Sequence, residues 1–194
     1  MQTVTRLDSA TYRRTPWKNG GGVTIDIADA YAPGAAAGGW SGMLWRLGRT
    51  RIVEPGPFSD LSGYDRILTV IGGSGLVLEI AGGAALDVRE PFRPVRFTGE
   101  DRITSRLEAG PVAVLNLMSD RKHAIDVTIM SGQDTRKLGA AINIVYAIED
   151  SEVVVGGQAF ALKADEALRS DEGGELTMRS GRVALSTISS RSAP

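Results

Sequence analysis

Cysteine is absent from all 194 residues, which removes disulfides, iron–sulfur clusters and thiolate nucleophiles together. Histidine is almost absent. The one imidazole, His123, falls short of a zinc site, which draws on two or more His or Cys ligands. It stands in Asp120-Arg121-Lys122-His123, which reads as a charged loop, and nothing else in the sequence points to a Ser-His-Asp triad around it. An excess of charge of one sign is lacking too: a net charge of −1 and a pI near 5.9 give no electrostatic reason to expect nucleic acid as a partner. No apolar run is long enough to serve as a leader or to cross a bilayer, so the sequence predicts a cytoplasmic protein with no membrane partner. What remains is enough chain for one large domain or two small ones sharing a core. A chain of this size buries roughly 70% of its unfolded surface and needs no covalent staples.

Period-two alternation dominates what is present. Val23-Thr24-Ile25-Asp26-Ile27, Leu76-Val77-Leu78-Glu79-Ile80, Leu86-Asp87-Val88 and Val95-Arg96-Phe97 read as short strands. Longer runs close at Met118 and Ile188. Gly- and Pro-containing turns separate them at short intervals, the punctuation of an antiparallel sandwich or barrel. Ala159 to Leu168 reads as strand broken by a turn at Ala164-Asp165-Glu166. Tyr31 to Gly39 reads as a flexible loop, and Ser189 to Pro194 as a frayed tail. A weak repeat relates the stretch from Ile103 to Val114 to that from Leu176 to Leu185, each placing two strands across a Gly turn. A duplicated β-unit is therefore expected, with little helix.

The densest chemistry lies in Trp17-Lys18-Asn19-Gly20-Gly21-Gly22, Gly56-Pro57-Phe58-Ser59 and Asp65-Arg66. Gly72-Gly73-Ser74-Gly75 is no phosphate loop, because a strand follows it rather than a helix N-terminus; it reads as a hairpin turn. Asn116 shares a strand face with Val112, Val114 and Met118. A buried amide there must find partners or cost about 1–3 kcal/mol, so it serves either a pocket or a loop backbone. Arg46 and Arg66 stand in apolar strands. A guanidinium at the mouth of an apolar cavity binds carboxylate strongly; the structural alternative pairs these arginines with Asp65, Glu54 or Asp60. Together these residues suggest a pocket for a small anion.

The islands Pro16-Trp17-Lys18-Asn19-Gly20-Gly21-Gly22-Val23-Thr24, Trp45-Arg46, Gly56-Pro57-Phe58-Ser59, Gly63-Tyr64-Asp65-Arg66, Phe97-Thr98-Gly99-Glu100 and Asn116-Leu117-Met118 resemble, in order and spacing, the HutD/Ves family. The chain departs from the family pattern at Gly48, where Ser is usual, at Arg49, where an apolar residue is usual, and at Val114, where an acid is usual. The resemblance implies an all-β, cupin-type double barrel, a bicupin, with a first barrel over residues 1–120 and a smaller, degenerate second over residues 121–194. It also implies a non-enzymatic binder of a histidine-degradation intermediate such as formylglutamate; the Ves branch is linked with stress response instead. Metal cupins place two histidines and a Glu ahead of a Gly. Here Asp65 takes the Glu place before Gly72, the histidine places fall on Phe58 and Asp60 or on Ser59 and Leu61, and the second motif's histidine falls near Arg102. No metal and no cofactor are expected. The expected ligand is a small carboxylate-bearing metabolite, dicarboxylate-like, clamped by Arg46 and Arg66. Lys18, Asn19, Ser59, Asp65 and Asn116 would add polar contacts, and Trp17 and Phe58 would form walls. Two other readings stand beside this one: a metal-free isomerase or epimerase with Asp65 as its acid/base, and a structural partner of a regulatory protein. A homodimer is left open.

Overall fold

A computed structural model of the chain describes residues 3–16 and 22–191. Trp17, Lys18 and Asn19 therefore lie outside the described residues. The strands in chain order are β1 (Thr5–Leu7), β2 (Arg13–Pro16), β3 (Gly22–Tyr31), β4 (Met43–Ile52), β5 (Gly56–Pro57), β6 (Tyr64–Gly72), β7 (Leu76–Ile80), β8 (Ala85–Val88), β9 (Val95–Thr98), β10 (Ile103–Leu107) and β11 (Val112–Asp120). They continue with β12 (His123–Ser131), β13 (Thr135–Leu138), β14 (Ile142–Ala147), β15 (Ser151–Val155), β16 (Gln158–Leu162), β17 (Ala167–Ser170), β18 (Gly174–Ser180) and β19 (Arg182–Ser190). One 3-10 turn, Ser9–Thr11, is the only helical element among the described residues. Among those residues no helix is long and apolar enough to cross a membrane.

Two compact units divide the chain: Tyr12–Lys122, and Met1–Thr11 together with His123–Pro194. Residues 3–11 thus belong with the C-terminal part of the chain, because β1 pairs with β17. That long-range pairing has no local signature.

In the unit Tyr12–Lys122 a six-stranded sheet, ordered β2-β3-β4-β11-β6-β9, accompanies a four-stranded one, β5-β10-β7-β8. All strand pairs are antiparallel. β11 lies between β4 and β6 and is buried on both faces, which is why its sequence is nearly continuous in apolar residues rather than cleanly alternating. Leu68, Val70, Leu76, Leu78, Val88, Ile103 and Val112 form the core of this unit.

The other unit carries the sheets β1-β17-β14-β19-β12 and β13-β18-β15-β16. Shifting each strand number by eight maps β4-β11-β6-β9 onto β12-β19-β14-β17, and β5-β10-β7-β8 onto β13-β18-β15-β16. The duplication thus covers eight strands of each unit, with β1, β2 and β3 as unmatched additions at the sheet edges. Met130, Leu138, Val145, Val153, Leu176, Met178, Val183 and Leu185 fill the interior of this second unit.

Three local expectations change. Gly72-Gly73-Ser74-Gly75 joins β6 of one sheet to β7 of another, so it is a crossing between sheets and not a hairpin. Gly73 and Gly75 hold φ of 90° and 84° there, and a Cβ on Gly75 would stand 2.4 Å from the Arg89 Cα, so glycine is required on both counts. The stretch after Tyr31 is no free loop: Ala32 N–H donates to Gly42, Gly38 N–H to the Tyr31 hydroxyl, and the Tyr64 hydroxyl to the Met43 carbonyl. The expected tail is strand as far as Ser190. The turn within Ala159 to Leu168 falls between β16 and β17 as expected.

Candidate functional site

A cavity of about 500 Å³ opens in the unit Tyr12–Lys122, and its wall includes Arg46, Arg66, Asn116, Phe58 and Ser59. Register explains the convergence. Across neighbouring strands Asp26 faces Gly48, Gly48 faces Asn116 and Asn116 faces Leu68; Arg46 faces Met118, which faces Arg66. Alternation then turns this whole row of side chains to one face of the sheet. Gly48 leaves a gap in the row: a Cβ there would stand 3.3 Å from Thr24 Cγ2 and 3.5 Å from Asp26 Oδ1.

The two arginines differ. Arg46 is buried, with its Nε 3.6 Å from Asp26 Oδ1, its Nη2 3.8 Å from the Met118 sulfur, and its guanidinium 4.0 Å from the centre of the Trp40 ring. Arg13 closes a second side of the cluster, donating from Nε and Nη2 to Asp26 Oδ2 at 3.0 and 2.8 Å and also bonding Asp29. Residues three apart on a regular strand face opposite ways. Asp26 and Asp29 meet the same arginine because the β3–β4 register slips at Ile27, a bulge that re-aims the side chain beside it. Two guanidiniums thus balance two carboxylates. Burial pulls the Arg46 pKa down, with Asp26 pulling the other way.

Arg66 has no such balance. It is 6% exposed, and its Nε is buried without a hydrogen-bond partner among the described residues. Its guanidinium rests 4.8 Å from the Phe97 ring and 5.1 Å from the Phe58 ring, contacts that favour a cation without neutralising it. Burial, and then the nearby Arg46, bring its pKa down to about 10, so it remains protonated at neutral pH. Asn116 Oδ1 and Asp26 Oδ1 are also buried without a hydrogen-bond partner among the described residues. Buried polar atoms are rarely left so.

Of the expected site residues, Arg46, Arg66, Phe58, Ser59 and Asn116 line the cavity together. Asp65 does not. It alternates with Arg66 to the other face of β6, where Arg121 Nε donates to it at 3.3 Å while Arg121 Nη2 bonds Glu100. The carboxylates expected as structural partners of the arginines make none of these contacts; Asp26 takes that place for Arg46. His123 begins β12 in the other unit rather than sitting in a loop. Asp26, Arg13, Trp40 and Thr24 are contributors that sequence reasoning missed. The alternation in Val23 to Ile27 separates two faces, but it does not say that the polar one turns inward.

The positions a metal cupin would give to ligands do not suit a transition ion. Phe58, Ser59 and Leu61 line the cavity, and Asp60 Oδ1 accepts from the Ser62 amide and hydroxyl. Among the described residues no three His, Cys, Asp or Glu side chains converge.

Fold and cavity together define a cupin-type double barrel with an arginine-lined chamber in the first barrel. The chain belongs to the HutD family, whose profile matches residues 9–185. HutD from Pseudomonas fluorescens SBW25, solved in a formate condition, is 30% identical with a TM-score of 0.82, covering 98% of this chain and all of that one. A conserved protein of unknown function from Pseudomonas aeruginosa PAO1 is 27% identical with a TM-score of 0.84, covering 97% of this chain and all of the other. An uncharacterized 21.2 kDa protein in the hutC 3' region of Pseudomonas putida is 36% identical over 118 residues, 61% of this chain. The match spans 59% of that relative's length. In fold alone the chain is also like a cupin 2 conserved barrel domain protein from Leptotrichia buccalis, 10% identical with a TM-score of 0.54, covering 88% of this chain and 89% of that one.

Proposed function

We propose that this protein binds a small carboxylate-bearing metabolite in the first barrel and serves histidine utilisation as a cytoplasmic regulatory sensor, not as a catalyst. The observation that carries the reading is Arg66. A buried guanidinium without a counter-charge is expensive, and among the described residues its neighbours offer aromatic faces and a second cation. An anion in the cavity supplies the missing charge and accepts from the unpartnered Nε. Arg46 is already matched by Asp26, so the primary carboxylate seat is at Arg66, and a second carboxylate would have to share Arg46. Asn116 Oδ1 asks for a donor, an N–H or O–H, on the same molecule. The chamber is of the size that holds small metabolites. A role in histidine utilisation is supported by membership of the HutD family and by the Pseudomonas putida relative's place beside hutC. The isomerase reading loses its base, since Asp65 faces Arg121 and not the cavity.

Calorimetry with formylglutamate, glutamate and urocanate tests the proposal. At least one should bind. Arg66→Ala should weaken it roughly tenfold to a hundredfold or more, the worth of a charged hydrogen bond of about 1.5–3 kcal/mol. Arg66→Lys should restore only part, because a point charge lacks the planar fork. Failure of all three to bind the wild type would refute the reading.

A further inference from the structure

Behind the strands that wall the cavity lies a second feature of opposite exposure. Thr15, Thr24 and Thr50 face the chamber, and the residues that alternate with them form a groove of about 400 Å³ on the other side of β2, β3 and β4. Arg14, Arg49 and Arg51 line it together with Val23, Ile25 and Val53, and no carboxylate does. Register spreads the three arginines apart. Arg14 pairs with Ile25, and Ile25 with Arg49, so two strand spacings, about 10 Å, separate the flanking cations. Arg51 lies two residues further along β4, opposite Val23.

The groove is exposed, and its chemistry is mixed. Val23 and Val53, at 37% and 38%, are two of the three large hydrophobic residues that stand exposed among the described residues. Arg14 and Arg51 are exposed and make no ion pair among the described residues. The protein as a whole carries a net charge of −1, so this concentration of arginine is local. Arginine beside exposed apolar surface suits a protein interface, where Arg is enriched and the core is more apolar than the rim. A phosphate would gain nothing from the valines, and a small anion needs cations that converge on one point.

We infer that this face docks an acidic, partly apolar segment of a partner protein. The segment's carboxylates meet Arg14 and Arg51, and its aliphatic side chains cover Val23, Ile25 and Val53. The inference stands apart from the cavity and does not depend on what the cavity holds.

Fluorescence anisotropy with a labelled octapeptide of alternating Glu and Val tests it. Binding is expected at ~50 mM salt and should weaken severalfold at ~300 mM, as screening of exposed charges requires. An alternating Glu–Ser peptide should bind less well, and an alternating Lys–Val peptide not at all. The double variant Arg14→Glu/Arg51→Glu should weaken the Glu–Val peptide at least tenfold, with Arg14→Gln/Arg51→Gln intermediate and both melting like the wild type. The docking inference is overturned if the wild type does not bind the Glu–Val peptide, or if both variants bind it unchanged. Tighter binding of a thymidylate octamer or of tripolyphosphate would make the groove a phosphate site instead. Self-association that disappears in the double variant would assign the face to a second copy of the chain.

Discussion

Arg66 carries a cost in the folded protein that a bound anion would offset. Its pKa, brought down to about 10 from the ordinary guanidinium value, corresponds to destabilisation on the order of 3 kcal/mol. The sign is fixed by linkage. The unfolded chain holds the proton more tightly, so the full penalty applies below about pH 10 and fades only as the pH climbs above it toward the ordinary guanidinium range. Arg66→Met, of similar length and without charge, should therefore melt at or above the wild-type temperature in the absence of ligand while losing anion binding. A marked drop in melting temperature would mean that the guanidinium is structural. In the wild type, anion affinity should stay level from neutral pH to about 9 and then fall as the pH passes about 10, because the free protein needs Arg66 protonated. Titrations across that range decide the matter. Residues of this kind are legible in sequence, since a guanidinium among apolar neighbours stands out, as Arg46, Arg66 and Asn116 do. Asp26 does not, because only the bulge at Ile27 and the pairing with Gly48 bring it to Arg46.

Strands and turns were legible to the extent that their causes are local. Alternation and Gly punctuation place most of the nineteen strands among the described residues, and the turn between β16 and β17 is found in spite of helix-favouring composition. Whether a turn returns a strand to its own sheet or sends it to another is decided by distant pairing, so Gly72-Gly73-Ser74-Gly75 looks like a hairpin and is not one. Glycines show the same division between local and distant causes. Gly56 has no heavy atom within 4 Å of the place a Cβ would take, and its φ is unremarkable for an L-residue. At Gly99 a Cβ would stand 1.7 Å from the Leu61 carbonyl oxygen. There the Leu61 amide donates to Gly99, and the Gly99 amide to Tyr64. That contact seats Leu61 on the cavity wall. Gly56→Ala should change stability by less than about 0.5 kcal/mol, as an unconstrained surface change does. Gly99→Ala should cost more than about 2 kcal/mol and weaken ligand binding as well, because the segment carrying Leu61 must move. Urea unfolding of the two variants, with calorimetry on each, makes the comparison. Equal stabilities would show that the approach of Leu61 to Gly99 is not tight.

At the scale of the molecule, one strand order is used twice with different interiors. The hairpin-like repeat between the Ile103 and Leu176 regions is the part of this duplication that survives in sequence. The rest is hidden because β-strands of either copy need only be apolar on the correct face. The first unit holds a chamber edged by Leu68, Val114 and Met118, and in the second Leu176, Met178, Leu185 and their neighbours pack into one core cluster. Leucine-to-alanine changes in the two units read out that difference, since the cost of truncation is the lost transfer energy plus the void that is left. Leu176 is fully buried in a filled core and Leu68 is equally buried beside an existing cavity. A buried side chain that also borders a chamber has fewer packing partners to lose on that side, and its removal enlarges the chamber instead of creating a new one. Leu176→Ala should therefore fall toward the upper part of the usual range of about 2–5 kcal/mol, and Leu68→Ala toward the lower part. Denaturant melts of both variants without ligand measure the gap, and a larger loss at Leu68 would mean that the first barrel is packed as tightly as the second.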